Sequence, residues 1–172
     1  RYLAQRMTDD HKIAVAVENR VGAGTLVGTE FVAKAPADGY TIMLGGVSNL
    51  ALNPALFKKL PYDAARDFAS IGFLATFPTV LIAPADFPAT NFADFVTRVR
   101  ANPGTYNFAS AGVGTGQHVW GAILIKQLGL DMTLVQYKGA APAHQDLIAG
   151  RTHAMLDNLS DRKSTRLNSS HA

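Results

Sequence analysis

Tyr106-Asn107-Phe108-Ala109-Ser110-Ala111-Gly112-Val113-Gly114-Thr115-Gly116-Gln117-His118 changes character twice. Tyr106–Ser110 reads as a short strand, with apolar side chains fit for burial on both faces of a sheet. Glycines at 112, 114 and 116 then form a joint, and an apolar stretch from Gln117 to Leu128 reads as a helix. A strand that turns through glycines into a helix is the repeating unit of an α/β fold.

The same alternation extends both ways. Towards the C-terminus come a strand at Thr133–Gln136, a helix at Ala141–Ala149 and a strand at His153–Asp157. Towards the N-terminus, Asn91 is placed to cap a helix over Phe92–Ala101, which Asn102-Pro103-Gly104 ends. Apolar runs at Ile13–Val17, Tyr40–Leu44, Ile71–Ala75 and Thr79–Ala83 read as further strands. Glycines at 22, 24 and 28 lead into a helix through about Lys34, and a short helix runs from the Gly45–Asn49 joint towards Phe57. Arg1–Arg6 reads as helix already under way. The spacing predicts a mainly parallel sheet in each of two lobes, residues 1–83 and 84–160, with the boundary in the Pro84–Pro88 region.

The remaining segment, residues 161–172, departs from the pattern. Asp161 to His171 matches, residue for residue, one reading frame of a common short-read sequencing adapter, so this tail is expected to be non-native. Without it the formal charge falls from +3 to +1, since it carries three basic residues and one acidic one.

Composition narrows the function. Of 172 residues, 48% are hydrophobic and 17% charged, which suits a globular core and not a disordered chain. Apolar runs fall short of the roughly 20 residues a membrane helix needs. Basic residues form no stripe, which argues against nucleic acid. With no cysteine, disulfides, thiolate metal sites and cysteine nucleophiles are excluded.

Ligands of open α/β folds bind beyond the carboxyl ends of the strands, so the joints are the candidate sites. At Ser110–His118 the glycines allow close backbone approach, and the helix that follows aims free N–H groups and its positive end at the same point. Ser110, Thr115 and His118 add polar side chains there. An anion can be held in such a place without Lys or Arg. Charge-assisted hydrogen bonds contribute roughly 1.5–3 kcal/mol each and a helix terminus up to about 2. Three or four contacts, less the cost of association, support a Kd near ~1 μM. Ser48 and Asn49 end one strand, and Asp157 and Asn158 another; they either face the same cleft or act as ordinary caps.

Rival chemistries fit less well. A dinucleotide fingerprint G-x-G-x-x-G is matched at Gly112 and Gly114 but has Gln117 in the third place, and no P-loop lysine follows. A nucleotide-dependent α/β enzyme using the Gly112–Gly116 turn remains the alternative. A nucleophile elbow G-x-S-x-G around Ser110 fails because Phe108 stands at the first glycine. Asp9, Asp10 and His11 read as a solvated surface, and Asp63 and Asp67 as capping or solvated carboxylates. His144 and His153 read as surface or satisfied histidines, and Trp120 and Phe92 as core.

A set of short motifs, in order along the chain, carries a resemblance. These are Val17-Glu18-Asn19-Arg20, Gly22-Ala23-Gly24, Asp38-Gly39-Tyr40-Thr41, Asn53-Pro54-Ala55-Leu56-Phe57, Leu60-Pro61-Tyr62-Asp63 and Asp67-Phe68. Ser110-Ala111-Gly112, Gly116-Gln117-His118, Tyr137-Lys138-Gly139 and Asp157-Asn158 follow. Together they resemble the substrate-binding subunits of tripartite tricarboxylate transporters, often called the Bug family, over residues 2–160. The resemblance implies an incomplete, two-lobed periplasmic binding protein of the Venus flytrap, type 2-like, form. It implies a small organic acid as ligand (a di- or tricarboxylate, an amino acid or an aromatic acid), membrane permease subunits as partners, no cofactor and no catalysis. The implied ligand contacts are Ser48, Asn49, Ser110, Ala111, Gly112, Gly114, Thr115, Gly116, His118 and, from the far wall, Asp157. Val21 stands where the family commonly has proline. The family's opening strand and first glycine-rich loop are expected upstream of Arg1, and its return to the first lobe beyond Ser160.

Overall fold

The computed structural model describes residues 1–159. Along them run α1 (Tyr2–His11), α2 (Leu26–Ala33), α3 (Asn53–Leu56), β1 (Thr79–Ile82), α4 (Phe92–Ala101), β2 (Tyr106–Ser110), α5 (Gly116–Gln127), β3 (Met132–Gln136), α6 (Ala140–Ile148) and β4 (Ala154–Asn158). A 3-10 turn at Ala23–Thr25 precedes α2, and a π-helical turn at Ser48–Leu52 leads into α3.

The four strands form one sheet in the order β1-β4-β2-β3. β2 is parallel to both β3 and β4, whereas β1 lies antiparallel along β4, pairing Thr79 with Asn158 and Ile82 with Met155. Thr79–Ile82, assigned to the first lobe from sequence, therefore belongs to the sheet of the second. Strands that alternate with helices are expected to run parallel; this edge strand arrives from an extended segment instead and runs the other way.

Both sheet faces are covered, as the apolar run of β2 requires. Phe108 packs with Phe95 and Val99 of α4 and with Leu130, Met132 and Ala154. Its neighbour Ala109 points the other way, into a second cluster with Met155 of β4 and Ala143 and Leu147 of α6. Gly121 of α5 lets that helix approach Phe108: a Cβ there would meet the Phe108 ring at 2.6 Å. The Asn91 side chain caps α4 as expected, accepting from the Asp94 N–H at 2.9 Å.

The first lobe differs from the sequence reading. Among the described residues, Ile13–Val17, Tyr40–Leu44 and Ile71–Ala75 form no strand. Alternation and β-branched residues favour an extended backbone, but a strand also needs a partner for its N–H and C=O groups. None pairs with these segments here, and Tyr40, Leu44, Ile71 and Phe73 are each at least 80% exposed. Trp120 and Phe92, expected in the core, are also exposed, at 44% and 51%. Trp120 borders an open groove of about 360 Å³ between α5 and the β1–β4 edge, lined also by Thr79, Ile123, Leu124 and Leu156. The tail expected to be non-native lies outside the described residues.

Candidate functional site

Because β1 is antiparallel, the carboxyl ends of β2, β3 and β4 share one edge of the sheet with the start of β1. Ser110, Gln136 and Asn158 therefore lie along the same rim, with Thr79 opposite Asn158. The joint from Ala111 to Thr115 leaves this rim and enters α5, a helix of 12 residues. Gly112 and Gly114 both take positive φ, 124° and 84°. Neither tolerates a side chain: a Cβ on Gly112 would lie 2.9 Å from the Tyr137 carbonyl oxygen, and one on Gly114 would lie 2.8 Å from Asn53 Oδ1.

The joint holds its own shape. Thr115 is the N-cap of α5, and its hydroxyl donates to the Gly112 carbonyl at 2.6 Å while accepting from the His118 N–H at 3.3 Å. The Thr115 N–H donates to the same carbonyl at 3.2 Å. The Ser110 hydroxyl is fully buried; it donates to Gln136 Oε1 at 2.6 Å and accepts from the Gly112 N–H at 3.2 Å. It staples the rim of β2 to that of β3. The Ala111 carbonyl accepts from the Gly139 N–H at 3.0 Å, just ahead of α6.

This joint meets the first lobe directly. The Gly116 N–H donates to the Ser48 hydroxyl at 3.1 Å. Gly24 (φ 60°) sits so close to the Val113 carbonyl that a Cβ there would overlap its oxygen. Asn53 is completely buried beneath the contact; its amide donates to the Gly24 carbonyl, the Thr25 hydroxyl and the Tyr62 phenol at 3.2–3.4 Å. Asn53 Oδ1 is buried without a partner among the described residues and faces Gly114.

Of the amides from Gly112 to His118, those of Gly112, Thr115, Gly116 and His118 are bonded within the protein. Those of Val113, Gly114 and Gln117 take no acceptor among the described residues. They lie at the positive end of α5, whose negative end is met by Arg100 donating to the Leu128 carbonyl from Nε at 3.1 Å and from its guanidinium NH2 at 2.6 Å. The set of open donors is thus smaller than the whole Ser110–His118 stretch.

Other expected contacts have internal partners. Asn49 is buried, accepting from the Gly46 N–H at 2.8 Å and donating to the Thr29 hydroxyl at 3.3 Å. Asp157 is 2% exposed: its Oδ2 lies 2.7 Å from His144 Nε2, and its Oδ1 accepts from the Asn158 N–H at 2.8 Å. His118 Nδ1 is buried without a partner among the described residues. His153 is satisfied as expected, its Nδ1 accepting from the Asn107 N–H at 3.0 Å. Asp63 and Asp67 act as turn caps: Asp63 Oδ1 accepts from the Ala65 N–H at 2.9 Å, and Asp67 Oδ2 accepts from the Asp63 N–H at 2.7 Å.

Sequence reasoning passed over Asn53 and Gln136. Asn53 precedes a proline and so resembles an ordinary helix start. His144, read from sequence as a surface or satisfied histidine, is satisfied: from α6 its Nε2 meets the Asp157 carboxylate of β4, thirteen positions away. Among the described residues there is no cluster of His, Asp or Glu able to hold a metal.

On the described rim, deep glycine joint and helix terminus, the fold is that of periplasmic binding proteins. An R. palustris protein, Rpa4515 with adipate, superposes with a TM-score of 0.92 at 30% identity, over 98% of this chain and 56% of that one. The periplasmic binding protein BugD gives 0.86 at 33% identity, over 95% and 55%. MatC from Rhodopseudomonas palustris with bound malate gives 0.81 at 30%, over 91% and 53%. A protein from the tcbD-tcbE intergenic region of Pseudomonas sp. (strain P51) is 36% identical over 95% of this chain and 48% of its own length. The model of the tripartite tricarboxylate transporter family receptor matches residues 1–166, and the chain belongs to that family. It spans about half the length of the curated relatives it matches.

Proposed function

We propose that this chain forms part of a periplasmic receptor that binds a small organic carboxylate and delivers it to the membrane permease of a tripartite transporter, with no chemical step. The observation that carries the reading is the set of open amides of Val113, Gly114 and Gln117 at the start of α5, beside the Ser48–Gly116 contact between lobes. Aligned peptide dipoles at a helix N-terminus favour an anion, and they need no cofactor to do so. Ser48, Thr115 and Gly116 set the geometry of that cradle, and Ala111 and Gly112 bring the backbone to it. Asn49 and Ser110 act behind it, by fixing the two joints. His118, whose Nδ1 has no partner among the described residues, stands in the first turn of the same helix.

Support also comes from relatives of the same fold, one solved with adipate and another with malate. Calorimetric titration of the full-length protein tests the reading. Binding of dicarboxylates such as adipate or malate, with none of NAD or ATP, is the expected outcome. Binding of a nucleotide with none of the acids would overturn it in favour of a nucleotide-dependent enzyme.

A further inference from the structure

Two residues at either end of the π-helical turn Ser48–Leu52, Ser48 and Asn53, both meet the glycine joint. Such turns are rare and are frequently found at functional sites. Five residues make about 1.4 turns of α-helix, which would point these two side chains apart. Here the Asn53 N–H donates to the Ser48 carbonyl and closes the wider turn. Ser48 accepts from the Gly116 N–H at 3.1 Å, and Asn53 presents Oδ1 to Gly114. The orientation of the Asn53 amide follows from its neighbours. The Gly24 carbonyl only accepts, and the Tyr62 hydroxyl spends its proton on the Asn49 carbonyl at 2.6 Å. Nδ2 must face both, which leaves the oxygen against Gly114. Asn53 is completely buried already within this chain, so further chain packed outside cannot uncover it.

We propose that Asn53 is a positioning residue of the anion cradle, which sets from the first lobe the direction of the open Gly114 N–H. This rests on the carboxylate-binding reading above and deepens it. Gly114 has no side chain to hold it, and at φ 84° it occupies a region that glycine enters and leaves freely. Its position is therefore set by what surrounds it. Asn53 Oδ1 and the Phe57 ring stand where a Cβ would come within 2.8 and 3.3 Å of them. The preceding Val113 carbonyl lies against Gly24, whose own carbonyl accepts from Asn53 Nδ2 at 3.2 Å. One buried amide thus fixes the contacts of both residues of the 113–114 peptide. Donors held in place before the ligand arrives bind an anion better than donors that must first be ordered. Asn53 acts through Gly114 and touches no ligand.

Calorimetry and 15N nuclear magnetic resonance on the full-length protein, titrated with adipate and malate, are the test. In folded Asn53→Ala the Kd of the acid that the wild type binds should rise about tenfold or more. The ligand-induced shift of the Gly114 amide should shrink in that variant, while that of Gln117, inside α5, persists. A lower denaturation midpoint alone would fit a structural role, so affinity and the Gly114 signal decide. The wild type supplies a second reading that needs no variant. Its Asn53 side-chain NH2 signals should move on saturation together with the Gly114 amide, although the ligand does not reach them. Acid binding in Asn53→Ala within about threefold of the wild type would overturn the inference and leave carboxylate binding intact. So would a Gly114 shift in the wild type with the Asn53 side-chain signals unmoved. Binding of neither acid by the wild type would overturn the carboxylate reading and this inference with it.

Discussion

The Ser48 hydroxyl accepts a hydrogen bond from the amide of Gly116 across 3.1 Å, joining residues 68 positions apart. One partner ends the joint after Tyr40–Leu44, and the other opens α5. The contact makes the helix terminus a property of both lobes, and it is flanked by two more close approaches, Gly24 to Val113 and Asn53 to Gly114.

Ser48→Ala leaves the Gly116 amide without its acceptor. The expected loss is about 1 kcal/mol of stability, within the range for one partly buried hydrogen bond. Urea denaturation of the full-length protein measures it. No change in the midpoint would mean that water replaces the hydroxyl at no cost.

Gly24→Ala is expected to act more strongly on binding than on folding. The new methyl would overlap the Val113 carbonyl oxygen, and the residue already holds φ 60°. Carboxylate affinity should fall by about tenfold or more, since the joint is displaced from the first lobe. Far-UV circular dichroism should remain that of the wild type, because the β1–β4 sheet does not include this residue. Unchanged affinity would contradict a role for this approach.

Gly121→Ala tests the packing of α5 on the sheet. The added Cβ would meet Phe108, which is fully buried, at 2.6 Å. Overpacking of this kind costs typically 1–3 kcal/mol, and thermal denaturation should show a lower Tm. A raised Tm would mean that α5 has room to move outward, towards the open groove beside Trp120.

The Tyr137–Asp146 pair sets a pH dependence. Burial first, and the neighbouring carboxylate second, push the Tyr137 phenol from 10 up to about 12. A raised folded-state value means that the stabilisation is complete below pH 10 and is lost as pH rises through about 12. Asp146 moves the other way: the hydrogen bond from Tyr137, then that from Arg151, holds its carboxyl below the usual value. Its contribution is present above the ordinary carboxylate range and is lost as pH falls through the folded value. Tyr137→Phe should therefore lose less stability than the wild type between pH 10 and 12. Denaturation curves at the two pH values check it; parallel losses in both proteins would contradict the assignment.

The second lobe was legible because its signals are local. The apolar run of β2, the glycine joint, the Asn91 cap and the Asn102-Pro103-Gly104 stop each act within a few residues, and α4 and β2 form with the bounds expected. The first-lobe segments carry the same local signals, but a strand is completed only by a partner, and sequence alone does not say whether one is present. The site was legible in the same divided way. That Gly112–Gly116 is a candidate anion cradle follows from glycines ahead of a helix. Which amides stay open does not, since Ser48 reaches that of Gly116 only through a tertiary contact. Asp157 is expected as a ligand contact from the resemblance, and its bond to His144 arises only when α6 folds onto the sheet.

The account depends on open peptide N–H groups at the start of α5, and nuclear magnetic resonance of the 15N-labelled full-length protein during titration with adipate or malate observes them one by one. The amides of Val113, Gly114 and Gln117 should show the largest shifts, with those of Thr115 and His118, already bonded within the joint, moving less. Saturable binding of the acid with these three signals unmoved would contradict the account.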